Sequence, residues 1–478
     1  FEFDGNVGKR LGTNTMNRTA LSATGSAGTL GVTSCGMGAF DFGAGAGGIR
    51  WLITQGGTAL WASSDLGVNW VRIASDRSAT YQNFERSKNV LVCCSDAYDR
   101  VLSWPGSGGT LASMLNVSAP LAKYAINFQG FLILLNTSAN KRRFQYEDEN
   151  TQLTGGFNGT LTLGGSFDLP SSADDETTTS FILSNKLYVS TRYRLYSISY
   201  VGGNPDWSYR EVKSWGFVPR TVDKITLGQV GEIVVGQDWN RRLRIFDGSQ
   251  DKIISDKVEN NNNMCEFSLS KVSYAGSGLT VNFGKTDDQE QIFKLGVAIG
   301  NNSSQVTHFL CLDGRTTAFF PYNYSTIKLM AMTMAESGNR RYLIAFDQSG
   351  WVHMMDSGNL DRNTYAIDDV LDSPILFEKS PSQTSKAQKI DLFFSVNSAG
   401  NVYYRDRIDF SNTYSDRQLI RITSGGKIQH YESIDIPSTH NTYQYQITSS
   451  SSTTVPWQLN RVDYFLTGLG IGREQPKP

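Results

Sequence analysis

Apolar residues in this chain come in runs of strand length and not in helical stripes. The clearest run is Lys186-Leu187-Tyr188-Val189-Ser190, followed after a polar turn by Arg194-Leu195-Tyr196-Ser197-Ile198. The second phrase returns as Arg100-Val101-Leu102-Ser103-Trp104, Arg143-Phe144-Gln145-Tyr146 and Arg242-Leu243-Arg244-Ile245-Phe246, after strand-like runs at 89–94, 131–135 and 232–235. Looser copies begin at Thr58, Gln291 and Gly350. A strand, a turn and an aromatic strand repeating every roughly 40–50 residues is the signature of propeller blades, and the drift in spacing implies loop insertions. The pattern predicts seven blades over residues 49–371, with six or eight as alternatives. Trp61, Trp104, Tyr146 and Ile198 are expected to pack between blades.

Residues 1–48 read as an extended leader that closes the propeller or pairs with the C-terminal domain, since a leading strand can hide an open sheet edge. The glycines of 36–48 read as a long turn. The stretch 155–175 reads as an exposed loop or small hairpin, the run Asn260-Asn261-Asn262-Asn263 as another loop, and 333–337, within the less regular units six and seven, could be a short helix instead of a strand. From 372 to 478 short strands follow at sandwich spacing, predicting a β-sandwich or jelly-roll-like domain. Its first expected feature is a hairpin of 390–396 with 402–408, which could instead be an eighth blade. The fold class is therefore all-β, a propeller followed by a sandwich.

Composition supports this and narrows the function. The 478 residues are 12% aromatic and include 46 Gly, as expected of a soluble β protein. No apolar run reaches the ~18–20 residues of a membrane-spanning helix. A net charge of −1 argues against affinity built on neutralising phosphates. The five cysteines are an odd number, with Cys93 and Cys94 adjacent on an expected strand, so they read as buried thiols in a reducing cytoplasm. Phe1 opens the chain without a charged-then-apolar leader, which is read as no secretory signal.

Two motifs bear on function. Ser63, Asp65, Gly67 and Trp70 fit the Asp-box of propeller hairpins, in which Asp bonds the turn amides, Gly allows positive φ and Trp packs back onto the blade. Arg100, Arg143, Arg194 and Arg242 recur at one place in the repeat and are either turn residues paired with carboxylates or a partner-facing arc. The four histidines show no metal-ligand spacing, and His353 reads as a packed histidine. No nucleophile elbow or phosphate loop is present. The expectation is no enzyme, no catalytic residues, no cofactor and no metal.

Two further segments carry a resemblance: Phe3-Asp4-Gly5-Asn6 through Lys9-Arg10-Leu11-Gly12-Thr13, and Val455-Pro456-Trp457-Gln458-Leu459 with Arg461-Val462-Asp463. With the repeat between them, the chain resembles the tail-hub, nozzle or packaged-DNA stabilisation proteins of short-tailed bacteriophages. The resemblance implies a structural virion protein of the tail, assembled in the host cytoplasm as a homo-oligomeric ring, a hexamer, below the portal and adaptor. It implies contacts with spike, fibre or needle proteins, and DNA that passes through without specific binding. The alternative is a glycan-binding or glycan-hydrolysing propeller of sialidase-like type, since Asp-boxes occur there too.

Overall fold

Two units divide the chain, one of Thr15–Met355 and one of Phe1–Asn14 with Asp356–Pro478. The computed structural model describes residues 7–8, 14–16, 37–41, 50–107, 111–154, 157, 164–202, 207–227, 231–256, 269, 281–299, 306, 308–322, 327–337, 340–355, 370–372, 385–396, 400–409, 411, 413–416, 418–422, 428–435, 439–440, 442–449 and 457–468.

Two short strands come first, β1 (Val7–Gly8) and β2 (Asn14–Thr15). The first propeller sheet is β3 (Met37–Asp41), β4 (Arg50–Gly56), β5 (Ala59–Ser63) and β6 (Val71–Ala74). The second is β7 (Gln82–Ser87), β8 (Val90–Ser95), β9 (Leu102–Trp104) and β10 (Ser113–Met114). The third is β11 (Ala122–Phe128), β12 (Phe131–Thr137), β13 (Arg143–Asp148) and β14 (Gly165–Asp168), and the fourth β15 (Thr177–Leu183), β16 (Lys186–Thr191), β17 (Leu195–Tyr200) and β18 (Trp207–Lys213). The fifth is β19 (Asp223–Leu227), β20 (Gly231–Gln237), β21 (Leu243–Phe246) and β22 (Asp251–Ile253), and the sixth β23 (Phe283–Asp287), β24 (Ile292–Val297), β25 (His308–Asp313) and β26 (Phe319–Tyr322). The seventh joins β27 (Leu329–Ser337), β28 (Arg340–Asp347) and β29 (Val352–Met354) to β2 as its outermost strand.

Among the described residues, apolar seams join each of these sheets to the next and the seventh to the first. Trp51, Ile53 and Leu60 meet Leu91, Cys93 and Trp104 between the first and second sheets. The last seam packs Met330, Ile344, Phe346 and Val352 of the seventh sheet against Leu52, Ala59 and Trp61 of the first, and β27 lies beside β3. Because each sheet is covered on both faces, its second strand reads as a continuous apolar run. β8 and β12 are buried along their whole length. Neighbouring residues on β8 serve opposite seams: Cys93 faces the first sheet and Cys94 the third. Burial pushes the Cys93 thiol up to about 12 and that of Cys94 higher still, which keeps both unreactive.

Trp61 and Trp104 hold equivalent places, on the third strand and facing the preceding sheet, and Ile198 does the same. Tyr146 does not, for it faces the following sheet within the seam of Leu187 and Ile198. It comes three residues after Arg143 whereas Trp104 and Ile198 come four after their arginines, and one residue turns a strand side chain to the other face. The place of Trp104 is taken by Glu147, which is buried and accepts a 2.6 Å hydrogen bond from Thr151 Oγ1.

Other expectations need correcting. Residues 333–337 are not helical but belong to β27, paired throughout with β28. Within the expected loop 155–175, β14 is the outermost strand of the third sheet. Within the expected turn 36–48, β3 is the innermost strand of the first sheet. Its short Met-Gly-Ala-Phe-Asp sequence lies among dense glycines, which give a turn signal in the sequence although the strand pairs with β4 along its whole length. The run 260–263 lies outside the described residues.

The second unit is a sandwich. One sheet has the order β1, β37 (Trp457–Gly468), β31 (Ser385–Val396), β34 (Ile428–Asp435), with β35 (Thr439–His440) also on β31. The other has the order β30 (Val370–Asp372), β36 (Tyr443–Ser449), β32 (Gly400–Ile408), β33 (Gln418–Ile422). Ile390, Leu392, Phe394 and Ile434 of the first pack on Val402, Tyr404, Ile420, Tyr443 and Ile447 of the second. The expected hairpin of 390–396 with 402–408 is absent, since β31 pairs with β34 and β37 while β32 pairs with β33 and β36. Their apolar faces meet across the core instead. The eighth-blade alternative falls with it. β30 belongs to this sandwich, and the propeller unit ends at Met355, earlier than the 371 read from the repeat.

Candidate functional site

The Asp-box folds as its chemistry demands. Ser63 Oγ donates to Asp65 Oδ1 at 2.7 Å and accepts from the Gly67 amide at 2.8 Å. Asp65 Oδ1 also accepts from the Asn69 amide at 2.9 Å, and Trp70 Nε1 donates to the Gly67 carbonyl at 2.7 Å. Burial pulls the Asp65 carboxyl up, but the Asn69 amide and the Ser63 and Asn69 side chains hold it below the usual carboxylate range. Gly67 has φ 97°, and a Cβ there would lie 3.2 Å from Val352 Cγ1. The box therefore packs at the closing seam between the first and seventh sheets. Its role is to build the ring.

The repeated arginines all sit where the second strand turns into the third, hence at one end of the propeller but on separate blades. Arg143 donates to Asp168 of β14 through Nε at 2.9 Å and Nη2 at 3.3 Å. Arg194 donates to Glu211 of β18 at 2.5 Å. Arg100 is exposed, and its carbonyl accepts from the buried Arg77 guanidinium at 2.6 Å. Arg242 is exposed, and its amide donates to Asp238 Oδ1 at 2.9 Å. Two of the four are thus tied to the outermost strand of their own sheet.

A cluster that the repeat does not signal lies at the same end, on the axis. Arg220, in the connector between the fourth and fifth sheets, donates through Nη1 to Asp96 Oδ2 at 2.9 Å. Asp96 follows β8 in the second sheet. These sheets are not neighbours, so the bridge crosses the axis. The Arg220 guanidinium also stacks on the Tyr81 ring, 3.6 Å from its centroid. Burial works against this charge, but Asp96, Tyr81 and Tyr124 raise the Arg220 pKa above its ordinary value. The backbone adopts φ 62° at Arg220, a strained position kept where surrounding structure demands it.

Around the bridge, Asn83 Nδ2 donates to Asp96 Oδ1 at 3.2 Å and to the Lys123 carbonyl at 2.8 Å. Lys123 pairs with Glu176 at 3.6 Å and lies over the Tyr98 ring, whose hydroxyl donates to Asn136 Oδ1 at 2.7 Å. Burial, then Glu176 and Asp96, push Tyr98 up to about 12. Buried amides and hydroxyls at the ends of second strands extend the network to the next connector. Gln55 donates to the Ser78 carbonyl, Asn136 to the Thr177 carbonyl, and Ser190 Oγ accepts from the Phe217 amide. Such a network fixes a ring. With Arg220 bonded to Asp96, it offers little uncompensated charge to a ligand. The signal for it was three-dimensional: neither Arg220 nor Asp96 belongs to the repeated phrase.

His353 is buried, with Nε2 3.0 Å from Asp347 Oδ2. Among the described residues no three His, Cys, Asp or Glu side chains are grouped to hold a metal ion. Among the same residues no helix is long and apolar enough to cross a membrane.

Glu85 on β7 gives a pH-dependent test of the ring. Its Oε1 accepts from the Asn127 amide of β11 at 3.3 Å, while Asn127 Nδ2 donates to Glu149 at 3.0 Å. Burial raises the Glu85 carboxyl from 4.5 to about 7, the amide bond opposing it. The folded chain therefore holds this proton more tightly than the unfolded chain. Stability from this group is full below pH 4.5 and is lost as pH rises through about 7. Glu85→Gln should flatten the decline in urea-melt stability between pH 5 and 8, by at most about 3 kcal/mol because solvent still reaches the carboxyl.

No family model matches the sequence, and no curated protein matches it. Among solved structures the chain is similar to the extracellular domain of a hybrid two-component system of B. thetaiotaomicron, at 11% identity and a TM-score of 0.43. That match covers 89% of this chain and 47% of that one, so the chain spans about half the length of the protein it matches. A likeness of this degree says nothing about what the chain binds.

Proposed function

We propose that this chain is a structural subunit of a short-tailed phage virion, a tail hub or nozzle. Its copies would form a ring below the portal and adaptor that extends the DNA channel and helps retain the genome. One observation carries the proposal. The two segments on which the resemblance rests are hydrogen-bonded neighbours, Val7 pairing with Leu459 and Gly8 with Gln458. The resemblance thus falls on one structural element and not on two isolated strings.

The cross-axis bridge of Arg220 and Asp96 is consistent with a rigid body whose own bore is not the conduit, so that DNA would pass between copies. A glycan-acting propeller would need an uncommitted arginine cluster at that mouth, and Arg220 is bonded to Asp96. That reading ranks second. The test is the mass of the purified chain at rising concentration, alone and with its adaptor ring. A closed oligomer is expected, and a monomer under both conditions would refute the hub.

A further inference from the structure

We propose that the end of the propeller carrying the turns between second and third strands docks an acidic protein segment, anchored by Arg192. This goes beyond the assembly role and holds whether or not the chain forms a ring. Arg192 lies in the turn after β16, two residues before the repeated Arg194. Its guanidinium sits 4.8 Å from the ring centroid of Trp239, in the equivalent turn of the fifth sheet, and 5.4 Å from that of Tyr193. Trp239 is fixed by donating Nε1 to the Phe217 carbonyl at 3.2 Å. The Arg192 amide is held by the Glu176 carbonyl at 3.0 Å and Asp175 Oδ1 at 2.9 Å. Both the platform and the turn are thereby set before any partner arrives.

The side chains are nonetheless open to solvent, with Arg192 exposed and Tyr193 50% exposed. No carboxylate pairs with the guanidinium of Arg192 or Arg100, or with the Lys141 ammonium, among the described residues. On the same end lie Arg142 and Arg143 of the third sheet and Arg241 and Arg242 of the fifth. A guanidinium held over an indole by a cation–π contact keeps N–H groups available for bidentate contact with a carboxylate. Tyr, Trp and Arg together are the composition of protein-interface hot spots.

Nucleic acid fits less well. A phosphate track wants continuous uncompensated cations, whereas here Asp168, Glu211 and Asp238 are bonded to Arg143, Arg194 and Arg244 within the arc. The chemistry favours protein carboxylates set beside an aromatic or apolar group that can share the Tyr193 surface.

The experiment uses the full chain and fluorescence anisotropy, with a dye-labelled peptide of alternating Glu and Tyr and a dye-labelled oligothymidylate of similar length. Saturable binding of the peptide is expected, weakened about tenfold or more by Arg192→Ala. Arg192→Lys should weaken it too, because an ammonium lacks the planar fork. Tyr193→Ala is the second variant, and Arg86→Ala, exposed at the opposite end, should leave binding unchanged. Unaltered melting of the Arg192 variants would show that the fold is intact. Absence of saturable peptide binding, or equal binding by Arg192→Ala and the parent, would overturn the proposal. So would tighter binding of the oligothymidylate that is lost with Arg192→Ala, which would assign the surface to nucleic acid.

Discussion

Replacing Trp104 by alanine is expected to cost about 3–5 kcal/mol of stability, close to the upper range for a single core truncation. Trp104 is wholly buried in the seam between the first and second sheets and meets Trp51 edge-on, with ring centroids 5.1 Å apart. Each seam of a closed ring is flanked by two sheets already held by their other neighbours, so the structure cannot collapse freely into the vacated space. Trp104→Phe should cost clearly less, because much of the ring contact survives. Denaturant unfolding of the two variants measures the difference. Equal, small shifts would mean that this seam does not bear on the stability of the ring.

Asp96→Ala should be comparably damaging, about 3–5 kcal/mol, because it leaves the Arg220 charge in a desolvated place without its partner. The telling comparison is the double variant Asp96→Ala with Arg220→Met. Removing both charges should recover much of the loss, since what is expensive is the uncompensated charge and not the absence of the pair. Urea unfolding of the single and double variants gives the coupling energy. Additive losses would show that the bridge across the axis does not couple the second and fifth sheets.

The repeat was legible because second strands covered on both faces are apolar almost throughout, and the third strands that follow a polar turn carry a recurring apolar or aromatic phrase. Tyr146 packs between sheets as expected but on the opposite face from Trp104, because counting from Arg143 does not reveal a shift of one residue along the strand. β3 escaped notice because its five residues, Met-Gly-Ala-Phe-Asp, lie among dense glycines and form no apolar run. In the sandwich the strand spans were readable, but not their partners. Residues 390–396 and 402–408 look like a hairpin to any local criterion, and only the shared core of Leu392 and Tyr404 separates them into facing sheets.

The Asp-box was readable for the same reason as the repeat, being a local motif whose hydrogen bonds span a few residues. The axial cluster was not, because Asp96 and Arg220 meet only after the intervening sheets have bent the chain around the axis. Arg192 escaped for a subtler reason. It stands beside a repeated arginine, and its significance comes from Trp239 in the next sheet and not from its place in the phrase.

Imaging the assembled particle tests the account most directly. The proposal predicts a closed ring of several copies of this propeller and sandwich, seated below the portal and adaptor, with the DNA path enclosed between copies. Particles that lack the chain at that position, or a purified chain seen only as isolated propellers in the presence of the adaptor, would contradict it.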